Sequence, residues 1–115
     1  MSLDVNTGTG PAEPGRGPVF FDRRELERIL RVYGRGVAAG QWRDYAMAPM
    51  AEAAEFAIFN RAGDAPLYRI EKRPALQRRQ GQWAVYGAGG QVLKRGRELE
   101  LVLRVFDGRR FTVVE

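Results

Sequence analysis

Eight basic residues fall between positions 69 and 97 of this chain: Arg69, Lys72, Arg73, Arg78, Arg79, Lys94, Arg95 and Arg97, with Glu71 the one acid among them. That segment carries +7, the remainder of the 115 residues −2 and the whole +5. Seventeen of the nineteen basic side chains are arginine, whose planar fork matches phosphate and carboxylate oxygens two at a time. Gathered on one face, they would raise a positive potential that attracts phosphate or another polyanion. A solvated Arg-rich face gives the same count, so both readings stand. Tyr68, Trp83 and Tyr86 are interleaved with these cations, the pattern single-stranded nucleic-acid binders use to pair phosphates and stack bases. With only twelve aromatics in the chain, filling the core is the better account of the three rings. No ribonucleoprotein, helix-turn-helix or KH signature accompanies them.

Other chemistries are bounded by what is missing. The sequence has no Cys and no His, and its only Ser is Ser2. Zinc and blue-copper ligation, Ser-His-Asp catalysis and Cys-His catalysis all need side chains it lacks. Carboxylate chemistry, a Tyr or Lys acid/base, or plain binding remain, but the carboxylates are scattered singly and Asp22 with Glu25 is accounted for by helix capping. We expect no catalytic residues, no metal and no cofactor. The glycine clusters point the same way. Residues 34–40 end a helix, where a dinucleotide fingerprint would open one. Residues 87–90 lack the Gly-Lys-Ser/Thr ending of a phosphate loop and read as a hairpin turn. Gly96 before Arg97 can offer backbone amides to an anion, an unspecific signal.

The elements that must position these residues are readable in outline. Seven Gly or Pro in the first eighteen residues predict a disordered leader over 1–18, followed by one α+β domain over 19–115. Asp22 and Glu25 form a capping box, and Phe21 with Leu26 a hydrophobic staple. Leu26, Ile29, Leu30, Tyr33 and Val37 then make an apolar stripe opposite Arg24, Arg28, Arg31 and Arg35, and Gly40 stops the helix. Beyond it the period drops towards 2. Strands are predicted over 42–47, 55–60 and 67–72, the last two antiparallel around a loop at 61–66, with Phe56 and Ile58 sharing one face and Tyr68 and Ile70 another; a helix through Met50, Ala53, Ala54 and Ala57 is the rival for the second, which Phe56, Ile58 and Phe59 so close to a turn disfavour. Residues 74–81 read as a basic loop, and 82–86 with 91–95 as a second hairpin. Residues 97–106 fit two patterns, Leu99, Leu101, Leu103 and Val105 alternating as a strand and Leu99, Val102, Leu103 and Phe106 forming a helical stripe; helix is the better fit, with Glu100 and Arg104 as an exposed pair. Residues 111–114 make a short terminal strand or an apolar tail.

The expected fold is thus α+β: an N-terminal amphipathic helix and a C-terminal helix packed on a four- or five-stranded antiparallel sheet, whose uncovered face and 74–81 loop are basic. Strings such as Phe21-Asp22-Arg23-Arg24-Glu25-Leu26, Gly40-Gln41-Trp42-Arg43-Asp44-Tyr45-Ala46, Tyr68-Arg69-Ile70-Glu71-Lys72-Arg73-Pro74 and Leu93-Lys94-Arg95-Gly96 resemble a small bacterial family, domain of unknown function 2794. The resemblance covers nearly all of residues 20–106. It implies a complete one-domain protein and brings no activity, ligand or catalytic residue with it. The leading functional expectation is a non-catalytic module that binds RNA, another nucleic acid or another polyanion through the eight cations. The chief alternative is a protein-interaction or homo-oligomerisation module using Trp42, Tyr45 and exposed sheet edges, and the weaker one a carboxylate-dependent or metal-assisted enzyme. No stretch has the roughly 18 consecutive apolar residues of a membrane span and no secretory signal is visible, so a cytoplasmic protein without a membrane partner is expected.

Overall fold

A computed structural model describes residues 17–60 and 65–109. Its first helix, α1 (Arg23–Ala38), starts at the capping box. The Glu25 amide donates to Asp22 Oδ1 at 2.9 Å, and the Asp22 amide donates to Glu25 Oε1 at 2.8 Å. Each bond satisfies an amide that the first helical turn leaves without a backbone acceptor. The helix ends with the Gly40 amide donating to the Val37 carbonyl at 2.9 Å, after which Gly40 adopts a φ of +79°, a value that side-chain-bearing residues avoid and that turns the following chain out of the helix.

Five strands follow: β1 (Asp44–Pro49), β2 (Ala54–Phe59), β3 (Tyr68–Lys72), β4 (Trp83–Gly87) and β5 (Val92–Gly96). They form one antiparallel meander in the order β1-β2-β3-β4-β5. The rows Met47–Phe56–Ile70–Val85 and Tyr45–Ile58–Tyr68–Gly87 run across it in register. Because side chains alternate along a strand, these rows share one face. Two short helices, α2 (Leu99–Leu103) and α3 (Val105–Arg109), complete the chain. One core joins Ile29 and Val32 of α1, the strand residues Phe56, Ile58, Ile70, Trp83 and Val85, and Leu99, Val102, Leu103 and Phe106. Both helical segments therefore cover the same face of the sheet and leave the other uncovered. This is the expected α+β architecture, with five strands.

Several details differ from the expectations, each for a packing reason. The apolar stripe of α1 is rotated: Val32 and Gly36 are buried, whereas Val37 is 43% exposed. Gly36 turns inward because the Trp42 ring lies on it. A β-carbon there would stand 2.2 Å from Trp42 Cε3. The Gln41 and Trp42 amides both donate to the Gly36 carbonyl, at 3.0 and 3.2 Å, folding the chain back under the helix end. Trp42, expected in a strand and on a contact surface, is consequently a core residue, 2% exposed, and β1 starts at Asp44. The helical stripe over 97–106 is confirmed by the burial of Leu99, Val102, Leu103 and Phe106, but Arg104 interrupts it between α2 and α3. Glu100 pairs with Arg28 of α1 at 3.0 Å rather than with Arg104. The expected leader falls, except for residues 17 and 18, outside the described residues, as do most of the 61–66 loop and the expected strand at 111–114.

Candidate anion-binding site

The register of the uncovered face decides what its cations do. Glu55 of β2 stands directly opposite Glu71 of β3, a like-charge cross-strand pair that is unfavourable unless neutralised. Arg69 Nη1 donates to Glu55 Oε2 at 2.8 Å, and Arg73 Nη2 to Glu71 Oε2 at 3.1 Å. The Tyr86 hydroxyl donates to Glu71 Oε1 at 3.2 Å and accepts from Arg95 Nη2 at 3.0 Å. Between Glu71 and Arg95 the neighbour on β4 is Ala84, whose small side chain lets the two charges approach to 4.0 Å. Arg69, paired in register with Tyr86, lays its guanidinium 4.7 Å from the ring centroid, within cation–π range. Glu71 is 6% exposed, with these donors around its carboxyl group. Its hydrogen bond pushes the Arg73 guanidinium pKa up, outweighing the lowering effect of burial. Arg73 also faces Glu52 at 3.9 Å. The expectation of a basic uncovered face is therefore corrected: Arg69, Arg73 and Arg95 are matched there by Glu52, Glu55 and Glu71.

Lys72 lies on the other face. Its Nζ donates to Glu25 Oε1 at 2.7 Å and to the Phe20 carbonyl at 2.9 Å, 5.9 Å from the Trp83 ring centroid. It ties β3 to the start of α1.

Of the remaining cations, Arg78, Arg79 and Arg97 gather where the 74–81 connection meets the end of β5, and Lys94 stands on β5 opposite Val85. Pro74–Leu76 form a single 3₁₀ turn, after which the amides of Arg79, Gln80 and Gly81 all point at the Leu76 carbonyl, at 3.1, 3.0 and 2.8 Å. Gly81, at φ +100°, then passes so close to β5 that a β-carbon would stand 2.2 Å from the Gly96 carbonyl carbon. Arg97 holds the loop from outside: its Nε donates to the Gln77 carbonyl at 2.9 Å and its Nη2 to the Arg78 carbonyl at 2.8 Å. Gln77 answers, with Nε2 donating to the Arg97 carbonyl at 3.2 Å and Oε1 accepting from the Gln82 amide at 2.9 Å. Arg95 Nη1 donates to the Gly81 carbonyl at 3.2 Å. The Arg97 guanidinium thus contacts neutral carbonyls, which leave its charge in place. Arg78 and Arg79 are exposed on the loop and Lys94 on β5, and among the described residues none of these three side chains has an acidic partner.

The eight cations adjacent in sequence accordingly divide between the two sheet faces and this loop. The aromatic rings among them are occupied. Trp83 is 3% exposed and stacks on Phe21, Tyr68 packs against Trp42 and Phe106, and Tyr86 is capped by Arg69. Tyr45, the other residue expected at a contact surface, is 38% exposed on β1 and stacks on Phe56 at 4.7 Å. Sequence reasoning missed Gln77, whose type and spacing give no signal for a loop brace. Among the described residues, no group of three or more Asp or Glu is placed to hold a metal ion, and no helix is long and apolar enough to cross a membrane. A family model described as "Protein of unknown function (DUF2794)" matches residues 19–103. No curated protein and no solved structure matches the chain.

Proposed function

The chain belongs to the DUF2794 family, a membership that assigns no chemistry, and from its geometry we propose that it is a non-catalytic module binding a phosphate-rich polyanion, RNA or another nucleic acid, through the 74–81 loop. One observation carries the reading. Arg97 is spent on bracing loop carbonyls while Arg78 and Arg79 stand exposed on the braced backbone with no carboxylate among the described residues to neutralise them. A cation held at the rim of a fixed loop loses little freedom on meeting a phosphate, and guanidinium–phosphate pairs can form two parallel hydrogen bonds. Lys94 and the uncompensated charge of Arg97 extend the positive surface. Arg69, Lys72, Arg73 and Arg95 support the fold that presents it. With the aromatic rings occupied, contact is to the sugar-phosphate backbone, and little sequence preference is expected.

Fluorescence anisotropy with labelled single-stranded RNA, duplex RNA and duplex DNA at about 50 and 200 mM salt tests this, because several phosphate contacts make affinity fall by orders of magnitude over that range. Micromolar or tighter binding at the lower salt, abolished by Arg78→Glu with Arg79→Glu, supports the site. Absence of binding at the lower salt sinks it.

A second reading rests on β1. All six of its residues are exposed, and Met47 and Tyr45 are 45% and 38% exposed. It is an edge strand whose only charged residue is Asp44, whereas the opposite edge, β5, carries Lys94 and Arg95. Charge is a common guard against edge-to-edge pairing, so β1 is the edge on which a second copy would add. Sedimentation of the chain against Met47→Lys reads this directly: a dimer that the substitution splits supports it, and a monomer at all concentrations rejects it.

A further inference from the structure

α1 and the α2–α3 segment lie side by side, and charged side chains link them at two points one heptad apart. Arg28 pairs with Glu100 at 3.0 Å, and Arg35 with Asp107 at 3.3 Å. Between these rungs stand Arg31 from one segment and Arg104 from the other, both exposed, and among the described residues neither side chain has an ion-pair or hydrogen-bond partner. All six side chains line one cleft of about 230 Å³, floored by Val32 and Leu103. Two guanidinium groups facing one cleft repel each other, and an apolar floor screens that repulsion less than open water does. Alternation of paired and unpaired rungs leaves the cleft with four positive charges against two negative.

We propose that this cleft is a binding site for a compact oxyanion carrying one or two phosphoryl groups, which bridges Arg31 and Arg104 while Arg28 and Arg35 are held at its two ends by Glu100 and Asp107. The volume is smaller than the 300–1,000 Å³ usual for pockets that enclose drug-sized ligands, so the anion itself, rather than a nucleoside attached to it, fills the site. Arg31 lies on α1, and Arg104 is the single residue joining α2 to α3, next to the buried Leu103, which fixes the arginine spacing better than a loop does. This cleft lies between the helical segments, shares no lining residue with the 74–81 loop, and stands or falls independently of the nucleic-acid reading.

The test is thermal unfolding of the full chain in inorganic pyrophosphate, in orthophosphate and in sodium chloride at matched ionic strength. A site occupied only in the folded state raises Tm with the logarithm of anion concentration. On the order of 5–10 °C is expected in pyrophosphate once it exceeds its Kd about tenfold, beyond any shift in chloride. Arg104→Glu places a carboxylate opposite Arg31. It is expected to raise Tm without anion and to erase the pyrophosphate response. Arg31→Gln is expected to weaken that response without the gain in stability. Arg78→Glu with Arg79→Glu should leave it intact, which separates this site from the loop. Equal shifts in chloride and pyrophosphate, an undiminished response in Arg104→Glu, or tighter binding of adenosine diphosphate than of pyrophosphate would overturn the proposal.

Discussion

Glu71 shows how one residue turns a basic segment into structure. It was the one acid in the segment read as an anion site, and it engages Arg73 and Tyr86 directly and lies 4.0 Å from Arg95. Replacing it with Gln removes the charge while keeping the shape, and leaves Arg95 without its counter-ion and Arg73 with Glu52 at 3.9 Å alone. Hydrogen bonds to charged groups contribute about 1.5–3 kcal/mol, and with the arginine side chains still 18–35% exposed we expect a loss near the lower end, read as a lower urea midpoint with an unchanged slope. Affinity for nucleic acid should change little or rise, since the substitution exposes positive charge. Arg97→Gln should behave differently, weakening binding as well as stability because the loop loses its brace. None of this was legible in the sequence, where the eight cations differ only in position. Strand register, which places Glu55 opposite Glu71 and Ala84 beside both Glu71 and Arg95, decides which cations are neutralised, and a register can be derived from alternation only when every strand boundary is known to one residue.

At the scale of elements, local signals were sufficient where they were redundant. Asp22 and Glu25 marked the start of α1 by residue type and spacing alone. Asp22→Ala should cost about 1 kcal/mol, measurable as a lower Tm, and should also loosen Lys72, which shares Glu25 Oε1 with the Asp22 amide. The inward turn of Gly36 was not legible, because a glycine on a helix carries no hydropathy signal and its partner, Trp42, was assigned to a strand. Gly36→Ala drives a methyl group into the indole and is expected to destabilise by roughly 1–3 kcal/mol through overpacking, despite alanine's better helix propensity. Tyr33 gives a pH test of the same packing. Burial foremost, then Asp44 and Tyr45, pushes its hydroxyl pKa above the ordinary tyrosine range. The unfolded chain therefore releases this proton first, so the stability tied to it is complete below about pH 10 and is lost as pH rises through the folded value. Tyr33→Phe should remove that alkaline loss, and a tyrosinate absorbance titration should lose its late component.

The whole molecule is a five-stranded sheet with helices on one face and a charge-balanced network on the other, so its net +5 is displayed at particular places rather than spread evenly. Hydrophobic period favoured helix over strand for residues 97–106 without settling it, and the α+β fold class followed from period and turn residues, since these are set by local pattern. The distribution of charge did not, because it depends on contacts between residues such as Arg28 and Glu100 that are 72 positions apart. The central claim is that Arg78 and Arg79 meet phosphates while the neutralised arginines of the sheet do not. The slope of log K against log salt for single-stranded RNA counts released counterions, about 0.7 for each phosphate contact. Measured on the native chain, on Arg78→Gln with Arg79→Gln, and on Arg69→Gln, the slope should become shallower by about 1.4 in the double variant and stay unchanged in Arg69→Gln. Equal slopes in the native chain and the double variant, or a loss confined to Arg69→Gln, would contradict the assignment of the loop as the site.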